Sequence, residues 1–415
     1  MTILGLTAVG IERVVPLAVA LVLPRVLGID DYGRYVFLLS YLGLFQLLPD
    51  QGLETALVAW LGRARGGDAA LAGRAALLRV GVSLLGAGIG LGVLALVRAD
   101  GALTAAGVVL GVGFAVLAGN PYRTLLRARL GMQRYLVLVG AQAGVTLALL
   151  AAAWWSPQVL TVALALCLGN VAGFVVGRVL VGPEVRWAAD GTVMRRLLRE
   201  GWPLVGAALA VVAGQQVVQM VTLHGLGTAA VGALGGAQKL CEAVGLLPQA
   251  VMLTLLPRLA ALEEAQAVRV ARGVMLRLGM VLLPVVVGLG TCGDVIVHAF
   301  FGPRYAASIA PLAVLAPATL VTASGVVLTA LLVRLGRQRV LLTVNVGTAL
   351  LMAGAALGLV PGHGVVGAAL AMSGPLLVGQ GLLLAIPQTR QVAWPIFASM
   401  LGPLVVAVLL IVGWH

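Results

Sequence analysis

Charge is what this chain has least of. Only 10% of its 415 residues are Asp, Glu, Lys or Arg and 61% are hydrophobic, where a soluble domain carries roughly 25% charged residues and about 45–50% apolar ones. With a mean hydropathy of +1.09, the composition excludes an ordinary water-soluble enzyme. Lysine is nearly missing: Lys239 is the only one among 27 basic residues, the rest being Arg. Aromatics make up 5%, and no basic block is interleaved with them, so nucleic acid is not an expected partner. The three cysteines, Cys167, Cys241 and Cys292, lie far apart in apolar stretches, which argues for packing residues rather than a disulfide framework or a zinc site.

Catalytic motifs are missing too. No HExxH or GxSxG occurs, and the four His are scattered. Gly288-Leu289-Gly290-Thr291-Cys292-Gly293 fits GxGxxG but lies in an apolar run without the strand and helix of a dinucleotide fold, so the match is accidental. Lys239 follows Gln and precedes Leu, which rules out a Walker-type phosphate loop. The chain is therefore not expected to be an enzyme, and no catalytic residue, metal or cofactor is expected.

What the chain has in abundance is apolar length. A helix needs about 20 mostly apolar residues to cross roughly 30 Å of hydrocarbon, and such stretches occur at about 3-28, 35-60, 80-97, 102-122, 135-155, 158-181, 202-224, 229-256, 273-299, 307-332, 340-359, 364-386 and 393-413. The first contains Glu12 and Arg13 and lacks a basic leader and a cleavage site, so it reads as a retained span rather than a signal peptide. The predicted fold is an all-α polytopic membrane protein of about 12 to 13 transmembrane helices. It divides into a six-helix lobe at 1-181, a cytoplasmic linker at 182-200, a second six-helix lobe at 201-388 and an additional helix at 389-415.

Cytoplasmic loops retain Lys and Arg. Alternate junctions hold Arg63, Arg65, Arg74 and Arg79; Arg123, Arg127, Arg129 and Arg134; five Arg between 178 and 199; four between 258 and 277; Arg334, Arg337 and Arg339; and Arg390. The intervening junctions hold only Arg25, Arg34, Arg98 and Arg304. The N-terminus is thus expected in the cytoplasm, and thirteen spans would put His415 outside.

The two halves share a register. Leu27-Gly28, Gly33 and Leu47-Leu48-Pro49 recur as Leu226-Gly227, Gly232 and Leu246-Leu247-Pro248, every pair offset by 199. Arg129-Leu130-Gly131-Met132-Gln133-Arg134 recurs as Arg334-Leu335-Gly336-Arg337-Gln338-Arg339. A duplicated unit of six spans keeps its orientation, which is the parallel-repeat design of some transporters.

The stretch from Arg25 through Gly28, Asp30, Asp31, Tyr32 and Gly33 to Tyr35, followed by Asp50-Gln51-Gly52-Leu53, resembles the first loop and second span of bacterial oligosaccharide flippases. These are the lipid-linked O-antigen and polysaccharide branch of the multidrug, oligosaccharidyl-lipid and polysaccharide exporter superfamily. Phe301-Gly302-Pro303-Arg304-Tyr305 and the Arg-Leu-Gly-x-Gln-Arg segments resemble that family's recurrent loops. The resemblance implies two pseudo-symmetric lobes around a central cavity. The implied function is movement of a polyprenyl-diphosphate-linked oligosaccharide across the bacterial inner membrane by alternating access, for cell-surface polysaccharide such as lipopolysaccharide. A polysaccharide polymerase or glycosyltransferases would be further partners alongside membrane lipids. An ion-coupled multidrug or organic-cation exporter of the same superfamily is the alternative. It predicts an acidic or aromatic cavity, against which Arg13, Lys239 and the low aromatic content count.

Ionisable groups at membrane depth cost about 2.5–3.5 kcal/mol on insertion scales and are site candidates by default. Arg13 and Lys239 are the candidate cations for a diphosphate, with Gln215 and Gln219 as polar contacts for sugar hydroxyls. Asp50, Glu54 and Glu242 are candidates for ion pairing or for a coupling proton or sodium ion. Arg13 with Asp50 or Glu12, and Lys239 with Glu242 three residues on, are equally readable as structural ion pairs. Gln142, Asn120, Asn170, Asn345 and Gln380 serve either the sugar or interhelical hydrogen bonds. The repeat-related Pro49 and Pro248 are candidate hinges. Gly86, Gly88, Gly90 and Gly92 have the small-xxx-small spacing of close helix packing.

Overall fold

The computed structural model describes residues 19–47, 69–96, 101–129, 131–152, 158–185 and 191–414, together with Ile11, Val15, Pro16, Pro49, Leu53, Leu57 and Trp187. Thirteen α-helices make up nearly all of it: α1 (Ile29–Leu47), α2 (Ala69–Leu96), α3 (Gly101–Ala118), α4 (Pro121–Ala128), α5 (Met132–Ala152), α6 (Val159–Val181), α7 (Gly191–Leu226), α8 (Thr228–Ala261), α9 (Glu264–Thr291), α10 (Gly293–Phe300), α11 (Ile309–Arg334), α12 (Gln338–Ala385) and α13 (Pro387–Trp414). The all-helical composition follows from the solvent, since hydrocarbon offers no partner to a free backbone N–H or C=O.

Among the described residues nine helical stretches are long and apolar enough to cross a membrane. The longest, Arg339–Ala385, has 47 residues, about 70 Å at 1.5 Å per residue and over twice the hydrocarbon thickness. It is broken at Gly364, whose φ of 58° is a conformation open chiefly to glycine. Each part, 339–363 and 365–385, is long enough for a crossing of its own. α13 is a further apolar helix of 28 residues. α7 starts at Gly191, within the stretch 182-200 that reads in sequence as linker.

The chain forms two compact units, residues 1–27 with 34–206 and residues 28–33 with 207–415. In the first, Leu53, Leu57, Ala75, Tyr122, Leu125, Tyr135 and Leu138 form a buried cluster. Lipid removes most of the hydrophobic driving force, so small residues that let backbones approach do much of the packing. Gly169, Gly173 and Gly177 of α6 present one face to Thr146, Gln142 and Leu138 of α5, with Tyr122 of α4 also against Gly177. Gly86 and Gly90 of α2 accept the ring of Phe45, and the Gly90 carbonyl accepts a hydrogen bond from the Tyr41 hydroxyl. Gly88 and Gly92 meet nothing within 4 Å, so only one face of that glycine run serves packing.

The second unit includes the first turn of α1. There Gly33 lies against the carbonyl of Thr228 and the amide of Gly232, while Gly232 lies against the carbonyl of Ile29 and the amide of Gly33. The contact is its own image under exchange of residues 199 apart, the offset of the repeat. A bond from Thr228 Oγ1 to Asp30 Oδ1 (2.6 Å) closes it on one side, and Tyr32, Phe301 and Tyr305 stack beside it, Tyr32 and Tyr305 with ring centroids 5.8 Å apart. α13 is built into this unit. Pro403 and Ile411 pack on Gly279 and Gly290 of α9, and Ser324 of α11 contacts both Gln380 of α12 and Met400 of α13.

Candidate functional site

The polar residues of the second unit converge on α7 and α8. These helices form an antiparallel hairpin turned at Gly227, with φ 86°. Because the strands of the hairpin run in opposite directions, residues equally far from the turn lie at one level. Gln219 Nε2 of α7 donates to Gln238 Oε1 of α8 (3.3 Å), and Gln238 Nε2 reaches Met372 Sδ of α12 (3.0 Å). Lys239 follows Gln238 and donates from Nζ to Glu242 Oε2 at 2.5 Å. The Lys239 side chain is 17% exposed and that of Glu242 57%. Lys239 lies 12 residues from the turn, about 18 Å along the helix axis.

The ion pair is intrahelical, so it cannot fix the register of α8 against a neighbour. Among the described residues, Lys239 is thus a largely buried cation held by its own helix alone. Gln215, one turn from Gln219 on the same face, is half-buried and makes no hydrogen bond among the described residues. Gln216 is buried, and its Oε1 finds no donor among them. Gln238 was not singled out from the sequence, although it adjoins Lys239. Pro248 is buried in the interior of α8.

In the first unit Arg13, Asp50, Glu54 and Glu12 lie outside the described residues. Pro49 has π-helical pairing, as does Leu53, a local widening common at functional positions. Its carbonyl accepts from Arg79 Nε (2.8 Å), and Arg79 Nη1 reaches Thr124 Oγ1 (3.2 Å). Arg79 is only 2% exposed. This corrects its reading as a loop charge, because α2 begins at Ala69, some ten residues before the apolar stretch starts in sequence. The evenly apolar run around it, from Ala75 to Leu78 and Val80 to Val82, is the signal that places it inside a helix.

The other intramembrane amides join helices. Gln142 Nε2 donates to Asn170 Oδ1 (2.7 Å) and Asn170 Nδ2 to the Gly113 carbonyl (3.0 Å), tying α3, α5 and α6 together. Asn345 Nδ2 donates to the Ala207 carbonyl (2.9 Å), and Gln380 both accepts from Ser324 (2.7 Å) and donates to the Val321 carbonyl. Asn120 caps α4, accepting from the Arg123 amide (3.1 Å). The three cysteines are unpaired thiols. His224 and His298 bond carbonyls one turn back on their own helices.

Solved structures share this architecture. The chain aligns over 100% of its length with 98% of the lipid II flippase MurJ in an inward closed conformation, at TM-score 0.72 and 10% identity. It covers 96% of a multidrug resistance MATE family transporter of the MOP superfamily in an inward-facing conformation, with 90% of this chain aligned, TM-score 0.67 and 15% identity. A MOP superfamily transporter from Pyrococcus furiosus, described as having a binding pocket of reverse polarity, matches at TM-score 0.57 and 14% identity, over 98% of this chain and 94% of that one. At these identities the likeness is one of fold. No curated protein matches the chain by sequence. The family model for polysaccharide biosynthesis proteins matches residues 2–263, more than half of the chain, and on that match, with the polytopic helical fold of MOP superfamily transporters and flippases around it, the chain belongs to the polysaccharide biosynthesis protein family.

Proposed function

We propose that the protein is a flippase that carries a polyprenyl-diphosphate-linked oligosaccharide across the bacterial inner membrane by alternating access, supplying cell-surface polysaccharide biosynthesis. The observation that carries this reading is Lys239: a largely buried ammonium within α8 whose partner among the described residues is an exposed carboxylate on the same helix. A diphosphate leaving water needs a cation to replace its hydration. Lys239 can exchange Glu242 for a phosphate oxygen without unfastening one helix from another, because its present partner lies on the same helix. Gln215, as far from the turn as Lys239, and Gln219, bonded to the adjacent Gln238, are the proposed contacts for sugar hydroxyls. Arg13 is the proposed second cation, Asp50, Glu54 and Glu242 the proposed groups for a coupling ion, and Pro49 and Pro248 the proposed hinges. Membership of the polysaccharide biosynthesis family supports a lipid-linked sugar over an organic cation, while the fold itself is shared with a lipid II flippase and with a multidrug transporter. The arginine distribution supports a cytoplasmic N-terminus.

The test is translocation of labelled undecaprenyl-diphosphate oligosaccharides by the purified protein in proteoliposomes. Wild type is expected to move at least one such lipid, Lys239→Ala and Arg13→Ala to lose most of the rate, and Lys239→Arg to keep a measurable part of it. Efflux of organic cations by a wild type that moves none of these lipids would transfer the protein to the exporter reading.

A further inference from the structure

One surface of the first unit combines an apolar channel with charge at one end. α5 and α6 pack antiparallel, with Leu138 level with Gly177, Gln142 with Gly173 and Thr146 with Gly169. Beside this seam runs an open furrow lined by Ala141, Gly144, Val145, Leu168, Val171 and Val175, with almost no polar lining. Val171 and Val175 share a face of α6 with Arg178, at i, i+4 and i+7, and Ala141 shares a face of α5 with Arg134 seven residues earlier. Both arginines therefore lie at the same end of the furrow. Arg134 is exposed and donates from Nη1 to the Leu180 carbonyl (3.5 Å). Arg178 is exposed in the last turn of α6, and neither guanidinium has a carboxylate partner among the described residues. The neighbouring Arg129 differs, being paired to Glu184 at 2.6 Å.

We propose that this furrow is a docking site for the lipid anchor of the substrate, a polyprenyl diphosphate, with the isoprenoid chain along α5 and α6 and the diphosphate between Arg134 and Arg178. The identity of the lipid rests on the flippase reading; the furrow and its two cations do not. One feature favours this occupant over bulk phospholipid: two guanidiniums at one end of the furrow, without carboxylate partners among the described residues, suit a headgroup carrying two phosphates, which their planar forks engage in pairs. The small residues at Ala141 and Gly144 leave room along the floor for methyl branches. The site gathers the substrate from the membrane.

The full-length protein in nanodiscs, carrying a photo-crosslinking amino acid at Val175, is exposed to undecaprenyl diphosphate mixed with phosphatidylglycerol, and the attached lipid is identified by mass spectrometry. Undecaprenyl diphosphate is expected to be captured well above its mole fraction. Arg134→Gln and Arg178→Gln should each lower that enrichment by about fivefold, the effect of one basic group at an anionic lipid surface, whereas Arg178→Lys, which keeps topology and charge, should retain part of it. A Cβ at Gly144 meets nothing within 4 Å, so Gly144→Leu fills the furrow without touching the core and should abolish enrichment in a folded protein. Capture that follows mole fraction, preference for phosphatidylglycerol, or equal capture in Gly144→Leu each overturns the proposal. Translocation measured on the same samples separates the two readings. Transport without enrichment sinks the furrow alone, and enrichment in a protein that transports no lipid-linked oligosaccharide sinks the flippase and leaves the furrow standing.

Discussion

Adding one methyl group at Gly33 should separate two helices. A Cβ there overlaps the Thr228 carbonyl and stands 2.9 Å from the Gly232 amide; a Cβ at Gly232 overlaps the Ile29 carbonyl and stands 3.2 Å from the Gly33 amide. Both obstacles are backbone, which no side-chain rotation relieves, so the first turns of α1 and α8 must part by roughly 1 Å. A gap of that size forfeits about a quarter to a half of the dispersion energy across the crossing, and overpacking costs about 1–3 kcal/mol. With carbonyls in the way the upper end applies. Alanine returns about 0.5–1 kcal/mol by stiffening a helix, leaving a net loss of about 2 kcal/mol for Gly33→Ala or Gly232→Ala. Gly88→Ala, where the new Cβ meets nothing, isolates the propensity term and should stabilise by about 0.5–1 kcal/mol. The double variant Gly33→Ala with Gly232→Ala should lose about 2–3 kcal/mol rather than about 4, since the second methyl enters space that the first has opened. The assay is unfolding in mixed micelles by stepwise addition of SDS, followed by helical circular dichroism. Gly33→Ala as stable as Gly88→Ala, or full additivity in the double variant, would refute the reciprocal crossing.

Three further outcomes follow from the geometry. Arg79→Met deprives the Pro49 carbonyl and the Thr124 hydroxyl of their donor and should lower stability by about 2–4 kcal/mol, with Arg79→Lys intermediate; an unchanged SDS midpoint would refute the buried anchoring role. Gln380→Leu removes bonds to Ser324 and Val321 and should cost about 0.6–1.7 kcal/mol while loosening the hold on α13, read as faster proteolysis after residue 386; equal proteolysis in both proteins would count against the node. Cys292 is the exposed cysteine of the three at the end of α9, which the arginine count places outside. A membrane-impermeant maleimide added to intact cells should label it and spare Cys167 and Cys241, and labelling only after permeabilisation would reverse the proposed topology.

Much of the fold was legible without coordinates, because a bilayer imposes simple rules on sequence. A crossing needs length and apolarity, and helices are the economical way to satisfy its backbone, so the spans at 102-122, 135-155, 158-181 and 307-332 and the additional C-terminal helix all correspond to helices. Their limits were less legible. α2 starts at Ala69 rather than near residue 80, since a single Arg in an apolar run lowers hydropathy without ending a helix, and that slip turned Arg79 into an apparent loop charge. The Lys239–Glu242 pair could be read from spacing alone, because i,i+3 neighbours are fixed by the helix itself. The bond from Gln219 to Gln238, the anchoring of Pro49 by Arg79 and the face-to-face approach of Gly33 and Gly232 could not. Sequence alone determined that this is an all-helical, multi-pass membrane chain, for that depends on local composition and helical period. Only the tertiary structure decided which glycines meet a neighbour and which amides are taken up in joining helices, because packing depends on rotation about each helix axis, and a uniformly apolar helix carries almost no amphipathic signal to fix that rotation.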